Sequence, residues 1–246
     1  MQHLIKIGMM ALFLYSTSIV GAETSSVFSG QSFLAAIDAP DSLALLPPPP
    51  AKKSMAFKRD QEAYKNGLAL RNTSRGKQAV RDADLSDANI GKPFSEALGI
   101  EISPQNTPIT YDLLKRLRED TVELAVNGAK NHYMRVRPFV YYKDTATCYP
   151  KDDAILRKNG SYPSGHATFG WATALVLVEI RPQREKELLK RGYEFGENRV
   201  ICGAHWQSDI DAGFIMGAAD FARLSADPAF ITEVAAAKKE IAAKAK

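Results

Sequence analysis

The sequence predicts an all-α fold on three observations. No stretch alternates apolar and polar residues with the period of two that a half-buried strand needs; helical patterning runs from Lys58 to the C-terminus; and several segments open on helix-start signals. From Lys58 the pattern breaks around Asn72 to Gly76 and again around Gly91 to Pro93, where turn-forming residues cluster. Thr107-Pro108 supplies a capping hydroxyl and a proline at the first helical position. Leu113, Leu114, Leu117, Leu124 and Ala125 form the apolar stripe of the helix that follows, which is expected to reach about Arg135 before Pro138 ends it. Ser164 caps a second helix whose body, Ala167 to Ile180, is apolar nearly all round, as a buried central helix would be; Pro182 stops it. A charged helix through Glu185, Lys186, Glu187 and Lys190 is expected to give way to a glycine-punctuated stretch at Gly192, Gly196 and Gly203, and then to a helix from about His205 to Leu224. Asp227-Pro228 starts a last helix rich in alanine and lysine.

The 246 residues, 45% hydrophobic and 24% charged, suit one globular domain with a sizeable core, and neither an internal repeat nor a dividing linker interrupts them. Residues 1–22 read as an export signal: Lys6, an apolar stretch from Ile7 to Val20, and small residues Val20 and Ala22 before Glu23. That stretch is too short and too diluted by Ser16, Thr17 and Ser18 to span a bilayer, so residues 23–246 are expected as a soluble domain, periplasmic or released, with no membrane partner. Net charge is +4, and losing Lys6 with the signal takes one charge away to leave +3, too mild and dispersed for a nucleic-acid partner. The run Leu46-Pro47-Pro48-Pro49-Pro50 reads as a stiff surface connector into the first core helix. Cys148 and Cys202 fit either one disulfide, as an oxidising compartment permits, or two buried thiols.

Three clusters could carry chemistry. Lys130 and Arg137 lie seven residues apart, so an unbroken helix would bring both to nearly one face, two turns from each other. With Lys143 and Arg135 they read either as a solvated basic stripe or as two cations reaching one anion, Arg137 through a planar fork and Lys130 as a point charge. Pro163-Ser164-Gly165-His166 stands at the mouth of the apolar helix, where backbone amides point outward with partial positive charge and a glycine lets an anion approach closely. The plainer reading there is an ordinary cap with an incidental histidine. In the third cluster, Arg199 accompanies His205 and Asp209. Asp209 follows His205 by one helical turn, so its carboxylate could hold one imidazole nitrogen and leave the other free to attack; taken alone, that spacing more often marks a surface pair of negligible effect.

Taken together and in this order, Lys130 with Arg137-Pro138, then Pro163 to His166, then Arg199 with His205 and Asp209, the clusters resemble the signature K-x6-RP, PSGH, SR-x5-H-x3-D of the phosphatidic-acid-phosphatase type 2 and vanadium haloperoxidase superfamily. Size, signal, proline run and the stretches GSYPSGH and RVICGAHWQSD make the chain similar to bacterial class A non-specific acid phosphatases over essentially all of residues 23–246. The resemblance implies a single-domain helical bundle of the acid phosphatase/vanadium haloperoxidase type around the Ser164 helix, with the site at the helix ends. It implies that His205 attacks phosphorus, that Asp209 orients His205 and that His166 protonates the leaving alkoxide. Lys130, Arg137 and Arg199, with Ser164 and the Gly165 amide, would surround the phosphate oxygens.

The activity so implied is hydrolysis of phosphate monoesters, such as nucleotides and sugar or aryl phosphates, through a phosphohistidine and without metal or other cofactor. One histidine would be neutral and the other charged when substrate arrives. Apyrase-type hydrolysis of nucleoside di- and triphosphates shares the cage and is the alternative; vanadium-dependent haloperoxidation stands further off. Besides His3 the histidines are His132, His166 and His205, with no metal-ligand spacing, and His132 lies about 200° round a helix from Lys130 and takes no role. Trp206 and Tyr162 read as core residues before pocket walls. One departure stands out: Asn198 occupies the position of the signature's serine, which puts phosphate affinity in question. Small-molecule phosphate esters are the expected partners, and a homo-oligomer is compatible with the sequence.

Overall fold

The computed structural model describes residues 31–245, so the expected signal over residues 1–22 lies outside the described residues. Every regular element among them is helical. In chain order these are α1 (Ser42–Leu45), α2 (Met55–Leu70), α3 (Ser74–Asp82), α4 (Lys92–Leu98), α5 (Pro108–Arg118), a π-helical turn (Glu119–Leu124), α6 (Ala125–Tyr133), α7 (Pro138–Tyr141), a 3-10 turn (Pro150–Asp152), α8 (Asp153–Leu156), α9 (Gly165–Ile180), a 3-10 turn (Pro182–Arg184), α10 (Glu185–Ile201), α11 (Gln207–Leu224) and α12 (Pro228–Lys244). None is long and apolar enough to cross a membrane.

Helix α9 is the axis of the bundle. Phe169, Ala172, Val176 and Leu177 are wholly buried, and α10 and α11 pack along its length, with α12, α5 and the π-turn closing the other sides. An apolar helix enclosed in this way loses nearly all its side-chain surface to the core, at roughly 25 cal/mol per Å² of apolar area removed from water. Ser164 caps it as expected, its hydroxyl accepting from the Ala167 amide at 3.3 Å, and Asp227 caps α12 by accepting from Phe230 at 2.9 Å. Thr107 does not cap α5; its hydroxyl donates to the Glu101 carbonyl instead.

Three expected elements differ. The helix foreseen from Thr107 to about Arg135 is three pieces: the π-turn separates α5 from α6, and Met134, at φ 40°, ends α6 before Arg135. The π-turn carries Asp120 inward to accept the Phe33 and Leu34 amides, each at 2.9 Å. Helix α10 runs without a break through Gly192 and Gly196, because there glycine serves close helix packing: a Cβ on Gly192 would stand 2.5 Å from the Ala174 Cβ, and one on Gly196 2.6 Å from the Phe214 ring. Only Gly203, at φ 78°, makes a turn. Finally, α11 begins at Gln207 with Trp206 as its cap, so His205 lies outside it.

The Cys148–Cys202 disulfide spans a separation of 54 residues and fastens the loop after α7 to the end of α10. The proline run lies extended at the surface from Pro47 to Pro50, where the Tyr162 hydroxyl donates to the Pro47 carbonyl at 2.8 Å.

Candidate active site

His205 sits in the turn between α10 and α11, 2% exposed. Its Nε2 is 2.9 Å from Arg137 Nη1, and since a guanidinium can only donate, Nε2 carries the lone pair and the ring proton belongs on Nδ1. Nδ1 faces Asp209 Oδ2 at 3.4 Å. The two residues do not meet along a helical turn, as their spacing suggested. Asp209 is the third residue of α11, and its carboxylate folds back over the helix start, accepting from the Trp206 amide at 2.8 Å. Its other oxygen, Oδ1, takes a hydrogen bond from Arg135 Nη1 at 2.5 Å. Burial pushes the Asp209 carboxyl upward, and Arg135 and the Trp206 amide pull it back toward the anion.

Arg135 was read from sequence as one member of a basic stripe. In the fold it is a buried strut whose second arm, Nη2, donates to Asp60 Oδ2 at 2.7 Å, while Asp60 also holds the Ser208 amide and hydroxyl at 2.8 and 2.7 Å. Nothing in the sequence pattern links Asp60, Arg135 and Asp209, which lie about 75 residues apart from one to the next.

Lys130 and Arg137 converge on the site from different elements, Lys130 from α6 and Arg137 from the extended residue that precedes α7. Lys130 Nζ donates to the Pro163 and Gly160 carbonyls at 2.8 and 3.3 Å. Arg137 donates to Asn159 Oδ1 at 3.1 and 2.8 Å and to the Ala204 and Gly160 carbonyls at 3.0 and 3.2 Å. Arg199, 1% exposed, points one arm at Cys202 Sγ, 3.7 Å away. These cations rest mainly on neutral acceptors, so much of their charge is left for an anion. Burial first, and the Arg137 charge second, pull Lys130 down to about 7. The two guanidiniums feel the same desolvation, yet an arginine stays charged at any working pH.

At the start of α9, the Gly165 and His166 amides have no acceptor within the helix and carry its positive end. His166 Nε2 lies 3.0 Å from the Ala83 carbonyl, which can only accept, so that nitrogen holds a proton; the ring stacks on Phe195 at 6.2 Å. Burial, then Arg199, lower His166 well below its ordinary value, and burial with Arg137, Lys130 and Arg199 does the same to His205. Burial and the neighbouring cations thus favour the neutral form of both rings in the empty cage.

Lys130, Arg137, Gly165, His166 and His205 line one cavity of about 490 Å³, while Ser164 and Arg199 are buried and not among its lining residues. Tyr149 and Asn159 line it too, unforeseen from sequence. Asn198 does not turn toward it: Nδ2 donates to Asp82 Oδ2 at 2.6 Å, and Asp82 is held twice by Arg191 at 2.6 Å. Asn198 thus braces the end of α3 beside Ala83, the acceptor of His166. Trp206 and Tyr162 are core residues, the first packed on Phe57 and Tyr64, and exposed His132 meets the Tyr133 ring edge to face.

Comparison with known proteins gives the family. The PAP2 superfamily profile matches residues 121–226, the region that carries all three clusters. The chain is 51% identical over 202 residues to a non-specific acid phosphatase of Providencia stuartii, covering 82% of this chain and 81% of that protein. It is 47% identical over 223 residues to a non-specific acid phosphatase of Salmonella typhimurium, covering 91% and 89%. An acid phosphatase of Zymomonas mobilis is 39% identical over 82% of this chain and 75% of its own length.

Proposed function

The chain belongs to the class A non-specific acid phosphatases of the PAP2 superfamily, and from that premise we propose that it cleaves phosphate monoesters through a phosphohistidine on His205, without a metal ion. The observation that carries the reading is the disposition of His205: the Nε2 lone pair faces the cationic cage and Nδ1 faces Asp209. A phosphate entering the cage takes over the Arg137 N–H that Nε2 now accepts, which frees the lone pair for attack.

Nε2 then attacks phosphorus as the ester P–O bond breaks, and the leaving oxygen takes a proton from His166. The N–P bond forms with His205 keeping its Nδ1 proton, stabilised as it becomes cationic by the Asp209 carboxylate. Water next attacks phosphorus, giving its proton to His166, and the N–P electron pair returns to Nε2 as phosphate leaves. Lys130, Arg137, Arg199 and the α9 amides stabilise the oxygens as the pentacoordinate state gains charge. The incoming phosphate also supplies the negative charge that lets His166, neutral in the empty cage, take up its proton. Export to the periplasm rests on residues 1–22.

The test is hydrolysis of p-nitrophenyl phosphate and AMP with EDTA present, together with His205→Ala and rapid-quench trapping of an acid-labile phosphoenzyme. Chelator-resistant turnover and a phosphoenzyme that both vanish with His205 are expected. Loss of activity to EDTA, or turnover surviving in His205→Ala, overturns the reading.

A further inference from the structure

The cavity that holds the cage has a second electrostatic layer. Asp84, Glu123 and Asp152 line it together with Leu85, Val122 and Ile155, and the three acidic residues are half-buried whereas His205 and Arg137 are closed off from solvent. They therefore stand on the approach to the cage. Asp84 comes from the turn after α3, Glu123 from the π-turn and Asp152 from the disulfide-anchored loop, so three separate elements place carboxylates round one opening. They are not grouped as a metal-ion site. Among the described residues lining the cavity the cations are Lys130 and Arg137, both already engaged with the phosphate in the proposed mechanism, and the buried Arg199 does not line it. No lining cation is left over for a second phosphate or a carboxylate on the leaving group.

Resting on the monoesterase reading, we propose that Asp84, Glu123 and Asp152 form an anionic filter that selects the leaving group by charge, admitting phosphoesters of neutral or cationic alcohols and disfavouring substrates with further negative charge beside the scissile phosphate. A terminal phosphate of ADP or pyrophosphate can enter the cage only by bringing its neighbouring phosphate against these carboxylates. Glycerol 2-phosphate brings uncharged hydroxyls and phosphoethanolamine an ammonium.

The experiment measures kcat/KM for phosphoethanolamine, glycerol 2-phosphate, AMP, ADP and pyrophosphate on the wild type and on Asp84→Asn, Glu123→Gln and Asp152→Asn. In the wild type the order runs from the cationic to the anionic leaving group. Each neutral variant raises the ratio of ADP to glycerol 2-phosphate turnover by roughly five-fold, as one charge removed a few ångströms from a phosphate should. Because the ratio is read, a general loss of activity in a variant does not obscure it. A second arm needs no variant: raising the salt concentration narrows the wild-type ratio by screening. Monoester turnover with ratios unmoved by substitution and by salt overturns the filter and leaves the phosphohistidine reading standing. A wild type that prefers ADP and pyrophosphate also overturns the filter and makes the protein an anhydride hydrolase. No turnover of any ester overturns both.

Discussion

Arg135 Nη1 donates to Asp209 Oδ1 at 2.5 Å, so the carboxylate facing His205 is held in place by a cation that does not line the cavity. The strut runs on to Asp60, and Asp60 fixes the first turn of α11 through Ser208. The contacts that hold the carboxylate beside His205 thus reach back to α2.

Removing that strut should separate positioning from binding. Arg135→Met is expected to lower kcat by about ten- to a hundred-fold, a loss of about 1.4 to 2.7 kcal/mol of transition-state stabilisation, while the inhibition constant for phosphate changes little. Opening the buried pair with Asp209 also lowers stability, by about 3 kcal/mol. A steady-state comparison with urea unfolding checks both; equal effects on kcat and phosphate affinity would place Arg135 in the cage instead.

The leaving-group role of His166 makes a selective prediction. In His166→Ala, p-nitrophenyl phosphate still phosphorylates His205, because p-nitrophenolate leaves without a proton, whereas an alkyl phosphate such as glycerol 2-phosphate slows by about a hundred-fold or more. Dephosphorylation, which needs a base for water, slows for both. Quench-flow measurement of the phosphoenzyme burst tests this, and equal damage to formation with both substrates would contradict the role.

Phosphate affinity should fall as pH rises through neutrality. Lys130, drawn down to about 7, is charged in acid and loses its proton within reach of physiological pH. The inhibition constant for inorganic phosphate is therefore expected to weaken above that pH, and Lys130→Met to flatten this step. In the opposite direction, His166 lies well below its ordinary value in the empty site, so phosphate binding in mild acid is expected to take up a proton there. Calorimetry in two buffers of different ionisation enthalpy measures that uptake.

Stability carries a separate acid signature. Burial raises the Asp120 carboxyl to about 6 and drives Asp220, whose oxygens find no hydrogen-bond partner, well above its ordinary value, with Asp120 adding repulsion. Between the unfolded and folded values the folded chain binds more protons, so these groups weaken the fold as pH rises through the folded value and cost nothing once both states are protonated. Asp220→Asn should raise Tm at neutral pH and lose that advantage in acid. A Tm gain of equal size at both would show the effect to be packing.

Much of the helical scaffold was legible in the sequence, as were most of the candidate residues that line the cavity. Helix starts at Ser164 and Asp227, the buried body of α9 and the three clusters are local features, fixed by residue types a few positions apart. The misjudged elements were those where a local signal has two uses. Gly192 and Gly196 looked like breaks but serve a close crossing with α9 and α11, and Thr107 looked like a cap but bonds to the Glu101 carbonyl. Lys130 and Arg137 do reach one place, though the shared helix face that suggested it does not exist.

The sequence by itself determined the helical class, because capping and periodicity act over a few residues, and it named His166, His205, Asp209 and the three cations as candidates through the resemblance their combined motifs carry. Tertiary structure alone decided that Arg135 belongs with Asp209 and Asp60, that Asn198 braces Asp82 rather than facing the cage, and that Asp84, Glu123 and Asp152 share its approach. Those relations join groups from elements far apart in the chain, and only the packing of α2, α3 and the disulfide-tied loop around α9 to α11 brings them within hydrogen-bonding or Coulombic reach.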